Sequence, residues 1–396
     1  MPKVLFFAEG VSLAHVARPV ALAQSLGPEW ETHLASPDGF DVCFGDSRAV
    51  RHKLSCIGSK VFMARLDAGS PAYRHSELAQ YVEEDLQLIE RVKPDVVVGD
   101  FRLSLSVAAR VSRIPYAAIC NAQWSPHAKA PGRIPVPDIA AVRFFGERVS
   151  TPIFRWAFPL ALRLHGRALN QVRRTYGLTP LEDLRDAYTD ADLALFADTP
   201  SLVPVVGGAR PHVYIGPIVW SPSMANPPWW DEIASADSVY VSVGSTGNTA
   251  ALPLILGALE EAGYTTMVAT AGRSSISAIP GRRYVAPYLS GEAAARRARF
   301  VVCNGGTATA YQALSCAKGV LGVCSNMDQF LTMQYVQAVG AGIGLRASAL
   351  TPEKLTEAIG RMGPAGAVTA AGKRLGDDFS KHRYGELFPP ALASIL

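Results

Sequence analysis

A glycine pair followed by threonines joins an apolar segment to a helical pattern in the second half of the chain. The run Cys303–Thr309 reads Cys-Asn-Gly-Gly-Thr-Ala-Thr. Gly305 and Gly306 allow a ligand to approach the backbone closely, and the unpaired N–H groups at a helix start attract an anion. Thr307 and Thr309 add hydroxyl donors at cap-like positions. The run therefore favours a pyrophosphate-binding loop, and a plain glycine-rich turn with a threonine cap is the alternative.

Asp328 and Gln329 stand side by side after the next apolar segment. A carboxylate can accept hydrogen bonds from two hydroxyls, and a primary amide can both donate and accept. The pair is therefore suited to binding a sugar diol, and helix capping by Asn326 or Asp328 is the alternative. Both this loop and the glycine loop follow strands predicted for one sheet, and open α/β sheets bind ligands at the carboxyl ends of their strands.

Short apolar segments alternate with helical patterns along both halves of the chain. Repeated strand–helix alternation predicts parallel sheets with helices on both faces. A proline-rich stretch between Gly216 and Asp237 is the best predicted boundary. We therefore expect a first domain over 1–216, a linker over 217–236 and a second domain over 237–375. The last segment, 376–396, is predicted to pack back on the first domain.

The composition excludes several classes of protein. Of the 396 residues, 49% are hydrophobic and 18% are charged, and the net charge is +4. This mild, dispersed charge does not indicate nucleic-acid binding, which needs a basic stripe, but it suits a small anionic ligand. The six cysteines form no CxxC pair, so the sequence does not indicate a zinc ribbon. Dispersed cysteines in apolar segments favour free thiols and a protein of the reducing cytoplasm. No apolar stretch reaches the about 18 residues of a membrane span, and a homodimer is left open.

The segment Val239–Leu345 resembles the donor domain of family 1 glycosyltransferases, the UDP-glycosyltransferase-like and macrolide-glycosyltransferase-like enzymes with the GT-B fold. Its first strand and loop, Val-Tyr-Val-Ser-Val-Gly-Ser-Thr, are similar to the family's loop beside the donor phosphates. That similarity implies phosphate-side roles for Gly244, Ser245 and Thr246. The Asn-Gly-Gly-Thr run, the Asp-Gln pair and a later Gly-Ala-Gly-Ile-Gly-Leu run follow the family's order and spacing. The resemblance implies an α/β fold of two Rossmann-like domains with parallel sheets facing a cleft.

Two positions depart from the family pattern. Asn304 stands where the family usually has a histidine that contacts the donor phosphate, so an uncharged amide replaces a group that can carry positive charge. Gln312 stands where many relatives have a glutamate on the ribose hydroxyls, and its amide offers one acceptor oxygen instead of two. A deoxyribose donor such as a dTDP-sugar has less need of that carboxylate, so both UDP- and dTDP-sugars are candidate donors.

The first loop of the chain, residues 9–19, is similar to the family loop in which a Gly-His pair precedes the first helix. Ala14 replaces the glycine of that pair. The resemblance implies that His15 is the general base and that Asp100, which ends a predicted strand, orients its imidazole. Imidazole has a pKa near neutral pH and can take the proton of a sugar or acceptor hydroxyl. A capping or solvated role for His15, and a helix N-cap role for Asp100, are the alternatives.

Aromatic rings occur where such enzymes shape the acceptor pocket. They are Trp124, His127, Phe144 and Phe145, followed by Phe154, Trp156 and Phe158. Rings of this kind fit an apolar, aromatic or lipid acceptor. Packing between helices within the core is the alternative.

The resemblance therefore implies an inverting hexosyltransferase that moves a sugar from a UDP- or dTDP-sugar to the hydroxyl of a small-molecule or lipid acceptor. The first domain would bind the acceptor and the second the nucleotide sugar. We expect no cofactor and no required metal, because the motifs above contain no cluster of metal ligands. A nucleotide-sugar epimerase of the same architecture and a non-catalytic nucleotide-sugar-binding protein are the alternatives.

Overall fold

The chain folds into two compact units, each built around a parallel sheet. The computed structural model describes residues 1–207, 210–233, 237–244, 247–363 and 367–396. The first unit comprises Met1–Lys129, Thr151–Ile218 and His382–Leu396, and the second comprises Ala130–Ser150 and Val219–Lys381. The predicted α/β class with two Rossmann-like domains is confirmed.

Except at the edges of the sheets, the strands are short, mainly apolar segments that are buried, which is typical of parallel sheets. In the first unit they are β1 (Lys3–Ala8), β2 (Glu31–Ser36), β3 (Val50–Lys53), β4 (Val96–Asp100), β5 (Tyr116–Cys120), β6 (Leu193–Phe196) and β7 (His212–Tyr214). In the second they are β8 (Ser238–Ser242), β9 (Thr265–Ala269), β10 (Arg283–Ala286), β11 (Val301–Cys303), β12 (Val320–Cys324) and β13 (Gly342–Arg346).

Most of the helices connect successive strands and bury one face, and the last three follow the final strand. They are α1 (Leu13–Ser25), α2 (Ser59–Asp67), α3 (His75–Val92), α4 (Leu105–Ser112), α5 (Ala140–Thr175), α6 (Leu184–Thr189), α7 (Leu252–Glu261), α8 (Gly291–Arg297), α9 (Thr307–Ser315), α10 (Met327–Ala338), α11 (Pro352–Arg361), α12 (Ala367–Lys381) and α13 (Tyr384–Ala393). Helix α5 is broken at Gly146, whose φ of 76° is not helical. Across the described part of the chain, no helix combines the length and apolar character needed to cross a membrane.

The strand order reverses once in each sheet. It runs β3-β2-β1-β4-β5-β6-β7 in the first unit and β10-β9-β8-β11-β12-β13 in the second. At the reversal in the first unit, Ala8 of β1 pairs with Asp100 of β4. In the second unit, Ser242 of β8 pairs with Cys303 of β11. The loops after these strands therefore lie side by side at the edge where open α/β sheets bind ligands.

Residues 130–150 group with the second unit, although we predict from the sequence a first domain that spans all of 1–216. An ion pair explains the difference. Arg346, at the end of β13, pairs with Asp138 and donates to the carbonyl oxygen of Val136 at 2.7 Å. The N–H of Ser348 donates to the same Asp138 carboxylate at 3.0 Å. Both charged side chains are largely buried, so this contact fixes the segment on the second unit.

The end of the chain returns to the first unit from His382 onward, slightly later than the predicted start at residue 376. The fully buried ring of Phe388 on α13 packs against Phe6 of β1, with ring centroids 6.1 Å apart. Gly216 makes the return possible, because a Cβ at that position would lie 1.8 Å from the carbonyl oxygen of His382.

Candidate active site

His15 and Asp100 meet at the strand reversal of the first unit. His15 lies in the first turn of α1, and Asp100 is the last residue of β4. The imidazole Nδ1 lies 2.7 Å from the Asp100 Oδ1 atom. The Asp100 side chain is fully buried, whereas that of His15 is 24% exposed. A buried carboxylate therefore holds one nitrogen of a ring that solvent and ligands can reach.

Arg18 is a third member of this cluster, and the sequence does not single it out. Its Nε donates to Asp100 Oδ2 at 2.7 Å and its Nη2 donates to Oδ1 at 2.6 Å, which is a bidentate pair. Its Nη1 donates to the Asn121 side-chain oxygen at 2.8 Å. The available signal is the spacing, because residues three apart on a helix share a face and Arg18 is three residues after His15.

The electrostatics of the cluster keep the carboxylate ionised. Burial alone would raise the pKa of Asp100, but the charges of Arg18 and His15 and the hydrogen bonds from both side chains outweigh it, so that the pKa is lowered. An ionised carboxylate only accepts hydrogen bonds, so Nδ1 of His15 carries the proton in this contact. The ring's other nitrogen, Nε2, then holds the lone pair that can accept a proton.

A row of aromatic rings extends from His15. The imidazole stacks on Phe101 with centroids 4.8 Å apart and planes at 16°. Phe101 stacks in turn on Tyr188, and Trp124 packs against Tyr188 at 5.5 Å. Phe101 has a φ of 58°, a left-handed conformation that is unfavourable for a residue with a bulky side chain. Such outliers cluster at functional sites, and here the turn places an aromatic wall beside the imidazole.

The described contacts of the other predicted acceptor residues do not include this row. His127 is half-buried in a loop, and its backbone carbonyl oxygen accepts a hydrogen bond from the N–H of Val206 at 3.1 Å. Phe144 and Phe145 are 83% and 70% exposed, and they belong to the segment that groups with the second unit. Of the rings predicted for the acceptor pocket, the structure therefore connects Trp124 to His15 through stacked neighbours.

In the second unit, the two glycine loops lie side by side. Gly244 follows β8 with a φ of 60°, and Gly305 follows β11 with a φ of 80°. A Cβ on Gly247 would lie 2.9 Å from the Cβ of Asn304, so the loops approach too closely for a side chain there. Ser245 and Thr246, which are predicted to contact the donor phosphates, fall outside the described residues.

Asn304 shapes the turn that leads into α9. The residue is 6% exposed, and its side-chain oxygen accepts from the N–H of Gly306 at 3.1 Å. Helix α9 then begins at Thr307, with Gly306 as N-cap and no side chain capping it. Thr307 and Thr309 lie partly exposed in the first turn, which holds no acidic residue. The first-turn N–H groups and the helix dipole are thus arranged to bind an anion.

Arg273 brings a positive charge to these loops, and the sequence does not predict it. Its Nη1 donates to the carbonyl oxygens of Gly244 and Gly247, each at 3.1 Å. The side chain follows β9, the strand next to β8, and the residue is exposed. The only signal in the sequence is its place in an Ala-Gly-Arg turn after an apolar strand.

Gln312 and Gln329 are both engaged by the protein itself. The Gln312 amide nitrogen donates to the carbonyl oxygen of Trp220 and, at 3.1 Å, to the Ser221 hydroxyl. Gln329 is 1% exposed, and its side-chain oxygen accepts from the N–H of Ser325 at 2.8 Å. These hydrogen bonds hold both side-chain amides in place. Contact of either amide with a ligand stays a prediction.

The Asp-Gln pair lies in the first turn of α10, which begins at Met327. Asn326 is the N-cap, and its side-chain oxygen accepts from the N–H of Gln329 at 3.1 Å. Of the two residues considered as helix caps in the sequence, Asn326 is therefore the cap. Asp328 lies partly exposed in the first turn of the same helix, whereas Gln329 is buried, and sugar contact by Asp328 stays a prediction.

One Asp-x-Asp run is present in the sequence, Asp190-Ala191-Asp192, but its carboxylates serve the fold. Asp190 pairs with Arg110, Arg173 and Arg210. The Asp192 carboxylate accepts from the N–H of Tyr116 at 2.9 Å.

Comparison with known proteins gives strong matches along the whole chain, although no family model matches it. The chain is 41% identical over 397 residues to the PGL/p-HBAD biosynthesis rhamnosyltransferase of Mycobacterium bovis (strain BCG / Pasteur 1173P2), covering 100% of this chain and 87% of that protein. It is 39% identical over 397 residues to the PGL/p-HBAD biosynthesis glycosyltransferase of Mycobacterium tuberculosis (strain ATCC 25177 / H37Ra), with coverage of 100% and 92%.

Among solved structures, the spinosyn rhamnosyltransferase SpnG matches with a TM-score of 0.70 and 20% identity over 99% of each chain. SpnG has also been solved in complex with thymidine diphosphate. Two parallel-sheet units that match this enzyme define the GT-B fold of glycosyltransferases, which confirms the resemblance seen in the sequence. The chain belongs to the family of the PGL/p-HBAD biosynthesis glycosyltransferases, and it is a glycosyltransferase.

Proposed function

We propose that this glycosyltransferase moves a deoxyhexose of the rhamnose class from thymidine diphosphate to the hydroxyl of an aromatic or lipid acceptor, with inversion and without a required metal. The observation that carries the proposal is the His15–Asp100 contact of 2.7 Å at the strand reversal of the first unit. The choice of sugar and nucleotide is supported by the rhamnosyltransferase name of a relative and by the thymidine diphosphate bound to SpnG. A UDP-sugar is the other donor to be tested.

In the proposed reaction, Nε2 of His15 takes the proton of the acceptor hydroxyl. The acceptor oxygen forms a bond to the anomeric carbon, the bond from that carbon to the diphosphate oxygen breaks, and its electron pair leaves with the diphosphate. Asp100 stabilises the imidazolium that forms, because it is ionised and already bonded to Nδ1. Direct displacement at the anomeric carbon inverts its configuration.

The second unit would stabilise the departing diphosphate. Its positive potential has two described sources, the N–H groups in the first turn of α9 and the guanidinium of Arg273. Asp328 would accept hydrogen bonds from the sugar hydroxyls. Because these groups are fixed before the reaction, they need no reorganisation as negative charge develops.

The row of Phe101, Tyr188 and Trp124 supports an aromatic or apolar acceptor. The three rings continue from the imidazole, so an acceptor ring could pack beside them while its hydroxyl faced Nε2.

The test is a single-turnover assay with dTDP-rhamnose and a long-chain alkylphenol, compared with UDP-sugars and with each donor alone. We expect rhamnosyl phenol as product and a loss of about 10²–10⁴-fold in transfer for His15→Gln, the range for removal of a general base. Donor affinity, measured by calorimetry, should stay at the wild-type value. His212→Gln is the matched control, because His212 lies in the same unit on β7 and packs against Phe196.

Transfer by His15→Gln within about threefold of wild type would overturn the proposed base, since this lies far below the expected range. An epimerised donor sugar formed without acceptor would favour the epimerase alternative. Donor binding without any turnover would favour a non-catalytic binding protein.

A further inference from the structure

The second part of α5 exposes a continuous apolar stripe. From Thr151 onward, Ile153, Trp156, Leu160 and Leu164 are 62%, 84%, 56% and 48% exposed. Their spacing of three, four and four residues places them on one face of the helix. Large apolar side chains scattered singly on a surface need no explanation, but a contiguous row of them marks an interaction site.

The opposite face of the same helix already packs into the first unit. Leu162, Leu169 and Val172 are buried, and the last two belong to a core cluster that includes Leu78 and Val107. The helix is therefore held in place by its inner face. The outward stripe is not needed to dock it, and burial in the fold does not account for its composition.

Positive charge borders the stripe. Arg163 and Arg167 are exposed, and at 100° per residue they lie on the same side of the helix as Trp156 and Leu160. Between Thr151 and Thr175 the sequence contains no aspartate or glutamate. The outward face therefore combines a tryptophan and branched aliphatic side chains with arginines that have no acidic neighbour on their own helix segment.

We propose that this face of α5 binds the surface of a membrane that contains anionic lipid. A helix with apolar and aromatic residues flanked by arginines lies in the interfacial plane, where the apolar side chains enter the acyl boundary and the arginines meet lipid phosphates. Arginine side chains can also extend to the headgroups while their stems cover apolar surface. Charge complementarity thus selects an anionic bilayer as the partner.

A second copy of the chain fits this face less well. A twofold contact places the same patch of each copy against the other, so Arg163 and Arg167 would approach their own equivalents without acidic partners from α5. An anionic lipid surface satisfies the same arginines. The membrane proposal concerns a surface distinct from the His15 cluster and does not depend on the donor assigned to the enzyme.

The test is flotation of the full-length protein with vesicles of phosphatidylglycerol and phosphatidylcholine, compared with phosphatidylcholine alone. Wild type should float with the anionic vesicles, and salt should weaken the binding. The double variant Arg163→Gln/Arg167→Gln should lose about 30-fold in partition onto anionic vesicles, since each basic residue near such a surface adds roughly a fivefold factor. Leu160→Gln and Trp156→Gln should lower binding to both kinds of vesicle.

Two control variants match these changes. Val42 has the same exposed fraction as Leu160, and Arg91 is another exposed arginine on a helix of the first unit. Val42→Gln and Arg91→Gln should float like wild type. Equal thermal unfolding of all variants would show that each is folded.

Three results would overturn the proposal. The first is equal flotation with the two kinds of vesicle, and the second is wild-type flotation by both the arginine and the apolar variants. The third is a doubled mass in light scattering that Leu160→Gln returns to the monomer value, which would identify a second copy as the partner.

Discussion

Replacement of Asp100 by asparagine is the sharpest test of the cluster in the first unit. Asp100 accepts from His15 and from Arg18 Nη2 through Oδ1, and from Arg18 Nε through Oδ2. Asparagine supplies one oxygen and one NH₂ group. Whichever way the amide is turned, its N–H groups face a donor, so Asp100→Asn creates a donor–donor conflict in a fully buried position.

The size of the effect follows from this geometry. Breaking a buried ion pair by removal of one partner costs about 3–5 kcal/mol in the free energy of unfolding. Solvent does not reduce this cost, because Asp100 is 0% exposed and Arg18 is 8% exposed. Transfer should fall by at least about 10²-fold, the lower end for loss of general-base catalysis, because the imidazole loses the negative charge that stabilises its protonated form.

Asp190→Asn is a matched control. Asp190 is also a buried carboxylate of the first unit held by arginines, with Arg173 at 2.6 Å, and its described ion pairs are with Arg110, Arg173 and Arg210. We expect both variants to lower the free energy of unfolding, measured by urea denaturation. Only Asp100→Asn should also lower the single-turnover rate of the folded protein. Equal rates in the two variants would refute the reasoning that Asp100 acts through His15.

The pH dependence of stability gives an independent check. Because the pKa of Asp100 is lowered from its ordinary value of 3.8, the folded state binds this proton less readily than the unfolded state. Its contribution to stability is complete above pH 3.8 and is lost as the pH falls through the lower folded value. The difference in unfolding free energy between wild type and Asp100→Asn should therefore shrink below pH 3.8. A difference that stays constant with pH would contradict the ionised buried carboxylate.

Three further predictions concern donor binding and the core. Asp328→Asn should weaken binding of the sugar nucleotide but not of the free nucleoside diphosphate. Gln329→Ala should weaken binding of both ligands, because it removes a buried hydrogen-bond acceptor from the loop. Calorimetry of each variant with each ligand checks these two outcomes. Asn304→His should retain donor binding, because imidazole Nδ1 can accept the Gly306 N–H, and loss of binding by a folded variant would show another role. Arg102→Met should lower the free energy of unfolding by about 3–5 kcal/mol, because it leaves the fully buried carboxylate of Asp85 without its cation. Urea denaturation measures this change, and an unchanged urea midpoint would contradict the prediction.

The central strands of both sheets could be predicted from the sequence because they are short, nearly uninterrupted apolar runs, whereas the exposed strand β3, Val-Arg-His-Lys, is not. Val96–Val98 is fully buried, and its composition leaves little choice but a central parallel strand. The pairing of His15 with Asp100 required the family resemblance as well. The two residues are 85 apart in the chain, and they meet because Ala8 and Asp100 are paired across the strand reversal.

Other features could not be read from the sequence, because they depend on which side of an element faces its neighbour. Nothing in the sequence distinguishes Arg18 from the other arginines, because its contact with Asp100 depends on how α1 packs against β4. Gln329 has the residue type of a sugar ligand, but its register at the third turn position of α10 directs its oxygen to the loop backbone. The segment around Asp138 follows Arg346 into the second unit, and the ion pair that decides this joins residues 208 apart.

The departures from the family pattern in the second unit can be understood together. Where the family has a histidine, Asn304 supplies the hydrogen bond that closes the glycine turn but cannot supply charge. Arg273 reaches the adjacent turn, and its guanidinium is held by the carbonyl oxygens of Gly244 and Gly247. A cation fixed by carbonyl groups retains its full charge, since neutral oxygens orient it without neutralising it. The positive potential for a diphosphate can therefore come from the loop after β9, while the residue after β11 serves mainly to shape the turn.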